Sequence, residues 1–109
     1  MQVSFCGKTI LISGATGHLG KQLIKDYYLS GATGLILLDI PDRKQELEEI
    51  AEEYAEKTKI SIYTADFRNI EDIDRVIYDM AAKNIEVDVL INNAGLNVLR
   101  KPEETDELV

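Results

Sequence analysis

Apolar residues in this chain fall into two alternating kinds of segment. Short, largely apolar runs occur at Lys8–Ser13 (KTILIS), Leu35–Leu38, Ile60–Tyr63 and Val87–Ile91 (VDVLI). Between them lie longer stretches with apolar residues three and four apart, the spacing of one helix face. The first stretch carries Leu19, Leu23, Ile24, Tyr27 and Tyr28. The second carries Leu47, Ile50, Ala51, Tyr54 and Ala55, and the third Ile70, Ile73, Val76, Ile77 and Met80. Punctuation supports these limits. Gly31 suits the position just past a helix end, and Asp42 with Gln45 three residues on resembles a capping box. Asn69 reads as an N-cap, and Asn84 can close the third helix. The tail from Leu96 to Val109 is polar, with Pro102 and then a helix-like start at Glu103–Leu108.

Strands separated by helices run parallel, joined by right-handed crossovers. The fully apolar Leu35–Leu38 fits a parallel strand covered on both faces. The pattern therefore predicts an α/β fold, a doubly wound parallel sheet. With 109 residues the chain is at most one domain, and no internal repeat or linker-like stretch divides it.

Composition narrows the function classes. Apolar residues make up 45% and charged residues 29%, the balance of a globular rather than a disordered chain. A net charge of −8 argues against nucleic acid as a partner, since phosphate binding needs clustered Lys and Arg. The acidic stretches Gln45–Glu56 and Glu71–Asp79 read as solvated helix faces. No apolar run is long enough for a membrane span, and Met1–Thr9 lacks the features of a signal peptide. The lone Cys6 excludes an internal disulfide framework, making a cytoplasmic protein the default. Cys6 itself is read as a small buried apolar residue beside the first strand. No metal site is read.

The chemistry is carried by Gly14-Ala15-Thr16-Gly17-His18-Leu19-Gly20, placed between the first strand and the first helix. A dinucleotide pyrophosphate needs a tight turn, an unobstructed backbone and helix N–H groups pointing at it. Gly14 would make the turn, Gly17 would allow close approach, and Gly20 would let the helix pack on the strand. Asp39 ends the second strand, where a carboxylate can accept hydrogen bonds from the adenosine ribose hydroxyls. Asp66 follows the third strand and Asn92-Asn93-Ala94-Gly95 the fourth. All sit at carboxyl ends of strands, where open α/β sheets bind ligands.

This conjunction resembles the short-chain dehydrogenase/reductase family over essentially the whole chain, with the NNAG segment as its most selective part. The resemblance implies a Rossmann-type domain, incomplete, with about four strands in order 3-2-1-4. Residues 1–109 would be its N-terminal dinucleotide-binding part, ending before the catalytic segment. It also implies cofactor contacts at Gly14, Thr16, Gly17, His18, Leu19, Gly20, Asp39, Ile40, Asp66, Phe67, Asn93, Ala94 and Gly95, with Asp66 on the adenine. His18 departs from the family's ordinary glycine. The resulting G-x-x-G-x-x-G is similar to the extended branch, including sugar-nucleotide epimerases and dehydratases, which normally lacks NNAG.

Family catalysis implies a tyrosine general acid/base with a lysine four residues on, helped by a serine and an asparagine. That spacing is absent here. Tyr27 is followed by Gly31, Tyr28 by Ala32, Tyr54 by Thr58, Tyr63 by Phe67 and Tyr78 by Ala82. Catalytic residues are therefore expected downstream of Val109. The implied parent is an oxidoreductase acting on a small alcohol or carbonyl substrate, a homo-oligomer when full length. An extended-branch enzyme and a non-catalytic dinucleotide-binding regulator stand as alternatives on the same fold. The cofactor expected is NAD rather than NADP. Asp39 would repel a 2′-phosphate and Ile40 stands where an arginine could pair with it, although Arg43 and Lys44 lie close by. Alone, the chain is expected to be inactive and marginally folded, with the Val87–Ile91 strand as an exposed edge.

Overall fold

The computed structural model describes residues 4–93. Ala94, Gly95 and the helix-like start at Glu103–Leu108 lie outside the described residues. Four parallel strands form one sheet: β1 (Thr9–Ser13), β2 (Gly34–Asp39), β3 (Lys59–Thr64) and β4 (Val89–Asn92). Their order is β3-β2-β1-β4, as expected. The helices are α1 (His18–Leu29), α2 (Lys44–Tyr54) and α3 (Ile70–Ala82). Register pairs Ser13 with both Leu38 and Asn92, and Asp39 with Thr64. The strand ends thus form one continuous border.

Alternation along β1 and β2 divides the core in two. Ile10, Ile12, Leu35 and Leu37 pack with Ile24, Leu47 and Ile50 on the side of α1 and α2. Leu11, Ile36 and Leu38 pack with Val76 on the side of α3. Both central strands therefore bury apolar side chains on both faces, which is why β2 shows no polar alternation.

Helix ends follow local chemistry. After α1, Gly31 adopts φ +88°, its N–H donates to the Tyr28 carbonyl, and Ala32 N–H donates to Tyr27. After α3, Asn84 adopts φ +57°, with Asn84 N–H on Ala81 and Ile85 N–H on Met80. Each is a Schellman closure. At the start of α3, Asn69 accepts from the Glu71 amide, the predicted cap.

Four expectations are corrected. Asp42 and Gln45 do not form a capping box, for a 3₁₀ turn at Pro41–Arg43 precedes α2 and no side chain caps either element. Pro41 has its φ preset for a first helical position, so Asp42 falls inside the turn rather than in the extended geometry a cap requires. Cys6 is exposed, because it sits in a turn closed by Lys8 N–H on the Phe5 carbonyl, outside β1. Leu19, Ile70 and Ile77 have helical spacing yet are more than half exposed, and Ala55 is exposed as well. Leu19 and Ile70 lie in the first turns of their helices, Ala55 lies past the end of α2, and Ile77 flanks a narrow stripe of Ile73, Val76 and Met80. Finally, the last strand starts at Val89 rather than Val87. Asp88 precedes it as a clamp, its carboxylate accepting from Thr9 N–H while its own N–H donates to the Thr9 carbonyl.

Candidate functional site

Gly14 follows β1 with φ +65°, a left-handed turn that glycine adopts without the strain of a Cβ. The loop then folds back so that Gly17 N–H donates to the Gly14 carbonyl at 3.1 Å. Gly20 lies buried in the first turn of α1. A Cβ there would stand 2.3 Å from Gly14 O and 2.8 Å from Ala15 O, so only glycine permits this approach of helix to loop. Gly17 differs. A Cβ there would meet only Gly14 O, at 3.4 Å, an ordinary contact. Packing within the chain does not require glycine at 17.

Gly17 is also the N-cap of α1, with no side-chain cap and no acid in the first turn. The first N–H groups of a helix lack intrahelical partners and carry the positive end of the helix dipole. With no carboxylate or hydroxyl from its own cap, this helix start suits an anion. His18 and Leu19 occupy its exposed first turn.

Asp39 is 92% removed from solvent, at 8% exposure. Its Oδ2 accepts from the Thr16 amide at 2.9 Å and from the Thr16 hydroxyl at 2.7 Å. Its Oδ1 accepts from the Ile40 amide at 2.8 Å. The carboxylate thus ties the end of β2 to the glycine-rich loop. With two bonds on Oδ2 and one on Oδ1, it keeps acceptor capacity chiefly on Oδ1. Asn93, buried to 8% exposure, reaches the same loop from the end of β4, its Nδ2 donating to the Gly14 carbonyl at 3.3 Å. Ser13 Oγ lies within bonding distance of the Ile91 carbonyl and Asn92 Oδ1.

Asp66 sits one strand further along the border, where Ala65 N–H donates to the Asp39 carbonyl. Arg68 grips the Asp66 carboxylate through its amide and two guanidinium nitrogens, at 3.0 to 3.2 Å. These side-chain hydrogen bonds hold the Asp66 carboxyl below its ordinary range. Phe67 packs against the α3-side core. The structure therefore gathers Gly14, Thr16, Gly17, Asp39 and Asn93 into one bonded corner and leaves Asp66 beside it with a partner of its own. The link from Thr16 to Asp39 was not legible as a pair in sequence, since 23 residues separate them. Nor was the one from Asn93 to Gly14, spanning 79.

A hollow of about 860 Å³ lies beside this corner, between α1 and α2, lined by His18, Lys21, Glu46, Tyr54 and neighbours. It excludes Gly14, Asp39 and Asn93, so its volume says nothing about that corner. No tyrosine takes part in the corner. Tyr27 stacks edge-on against Phe5, Tyr28 against Tyr54, and Tyr63 donates to Asp79. Tyr78 is exposed on α3. Among the described residues, no helix is long and apolar enough to cross a membrane.

A family model described as short chain dehydrogenase matches residues 8–108. The chain is 29% identical over 102 residues to 11-beta-hydroxysteroid dehydrogenase 1A of Arabidopsis thaliana, covering 94% of this chain and 29% of that protein. It is 37% identical over 92 residues to the NADP-dependent 3-hydroxy acid dehydrogenase of Schizosaccharomyces pombe, covering 83% and 35%. Among solved structures, it superimposes on L-sorbose reductase from Gluconobacter frateurii, a complex with NADPH and L-sorbose. The TM-score is 0.69 at 22% identity, covering 85% of this chain and 35% of that one. A glucose/ribitol dehydrogenase from Brucella melitensis gives the same score and identity over 83% and 37%. The chain spans about a third of the length of these proteins.

Proposed function

The chain belongs to the short-chain dehydrogenase family, and from that membership we propose that it is the dinucleotide-binding part of an oxidoreductase using NAD. A bound nicotinamide supplies hydride transfer to or from an alcohol or carbonyl carbon. The residues here hold that group; they do not react. Gly14 makes the turn, Gly17 leaves the start of α1 clear for the pyrophosphate, and Asp39 offers Oδ1 to a ribose hydroxyl. Asn93 borders the other side; Ala94 and Gly95, which lie outside the described residues, are included as contacts from the family resemblance alone. Ile40, His18, Leu19, Asp66 and Phe67 complete the proposed contacts. The reading assigns proton transfer to none of Tyr27, Tyr28, Tyr54, Tyr63 and Tyr78, since none has a lysine four residues on. Relatives named as dehydrogenases and reductases favour it over the sugar-nucleotide alternative.

The observation that carries the reading is the pairing of a glycine at 17 that packing does not need with a helix start left uncapped. The preference for NAD rests on Asp39. A second negative group beside its buried carboxylate would meet repulsion at short range in a poorly solvated place. In this the chain would part from the S. pombe relative, named as NADP-dependent. Titration of the full chain with NADH and NADPH, followed by nicotinamide fluorescence, tests both points. Tighter binding of NADH and its loss in Asp39→Ala are expected. Equal or tighter NADPH binding removes the NAD assignment, and binding of neither removes the dinucleotide reading.

A further inference from the structure

Two cations arise from the segments that flank the Thr16–Asp39 contact. Lys21 follows Gly20, and its amide donates to the Gly17 carbonyl at 2.9 Å. Arg43 ends the 3₁₀ turn after Asp39, and its amide donates to the Ile40 carbonyl at 3.0 Å. A positive charge on either segment opposes a charge-based preference for the unphosphorylated dinucleotide. In the structure both end on one carboxylate. Lys21 Nζ lies 2.8 Å from Glu46 Oε2, and Arg43 Nη1 lies 3.2 Å from Glu46 Oε1. Each oxygen takes a different cation, and the bridge joins α1, the 3₁₀ turn and α2. The Glu46 side chain is 30% exposed, against 50% for Lys21 and 56% for Arg43. The Lys21 hydrogen bond, with Arg43 adding to it, holds the Glu46 carboxyl below its ordinary range.

We propose that Glu46 is a specificity-determining residue, holding Lys21 and Arg43 so that neither serves a 2′-phosphate on the ribose. This rests on the dinucleotide reading above and deepens it. Glu46 acts through the two cations and does not touch the dinucleotide. Each pair is partly exposed and contributes little to the stability of the fold, so removing the carboxylate charge frees both side chains without unfolding α2. Freed, they supply the charge-assisted bonds that phosphate oxygens accept. Lys44, exposed and without an ion pair among the described residues, is present in every variant and cannot account for a difference between them.

The test titrates the full chain and Glu46→Gln with NADH and NADPH. Glu46→Gln is expected to narrow the preference for NADH about three- to tenfold, through tighter NADPH binding, as release of two such pairs allows. Glu46→Asp keeps a charge for the cations and retains most of the preference. Adding Lys21→Met and Arg43→Met to Glu46→Gln restores it. An unchanged ratio in Glu46→Gln overturns the proposal while leaving the dinucleotide reading intact. A ratio that stays narrow in the triple variant overturns it too, for the effect would then come from lost negative charge alone. If the unaltered chain binds neither dinucleotide, both readings fall.

Discussion

Two helices of this chain start just past a parallel strand, at the same border of the sheet, and they are finished in opposite ways. The start of α3 closes on itself. Asn69 accepts from the Glu71 amide, Asp72 accepts from the Asp66 amide, and Glu71 and Asp72 place two acids in the first turn. The start of α1 has glycine as its cap and no acid in its first turn. The orphan amides and dipole of the two helices are alike, so the side chains alone decide which one is available to an anion. Where α3 spends its polar residues on its own stability, α1 forgoes roughly a few tenths of a kcal/mol of capping and keeps the position clear. An end left open in this way, beside one capped by its own side chains, supports the proposed site more strongly than the glycines do as a count.

Breaking that contrast should have graded effects. The largest is expected from Gly20→Ala. Its Cβ would overlap the backbone of Gly14 and Ala15, so loop and helix must separate at a cost of about 3 kcal/mol. Thermal melting should fall by roughly 10–20 °C for a unit of this size; a melt near that of the parent chain would refute the packing account. Next is Gly17→Asp, which gives α1 the kind of cap that α3 has. Stability should hold or rise by up to about 0.5 kcal/mol, while NADH affinity falls at least about tenfold because the new carboxylate takes the anion's place. Undiminished affinity in that variant would mean the pyrophosphate does not use this helix start. The converse change, Asn69→Ala, should cost about 1 kcal/mol of stability and leave NADH affinity as it was. A weakened affinity there would erase the distinction between the two helix starts.

The smallest effect concerns how α3 is anchored. Tyr63 on β3 donates its hydroxyl to Asp79 at 2.5 Å. Burial first, and then the bond to Asp79, push the Tyr63 hydroxyl from its ordinary 10.0 up to about 12. The folded chain therefore holds this proton over a range where the unfolded chain has lost it. Stability from this group is fully present below pH 10 and declines as the pH rises toward 12. Urea melts across that window should show the decline, and Tyr63→Phe should remove the part of it due to this group. An identical slope in the variant would assign the decline to other groups.

How much was legible beforehand depended on whether the signal was local. The strand and helix pattern, the sheet order through family resemblance, the Asn69 cap, the Gly31 and Asn84 closures, and the places of Gly14, Gly20 and Asp39 were all readable. Each rests on residues within a few positions of one another, or on a motif whose spacing is itself the signal. The capping box at Asp42 failed because two adjacent local signals competed, and Pro41 with its fixed φ prevailed. Cys6 failed because residue type alone does not show that it lies in a turn outside β1, and Ile77 failed because periodicity reports which residues share a face, not whether anything covers it. Sequence by itself thus determined the layers, their order and the glycine loop, since backbone sterics and apolar spacing act along the chain. Only the tertiary structure decided that Thr16 closes on Asp39, that Asn93 reaches Gly14, that Gly17 is free of packing demands, and that Lys21 and Arg43 meet on Glu46. Those contacts join residues on separate elements, and their partners are set by how parallel strands align at one border, a distance that no spacing along the chain records.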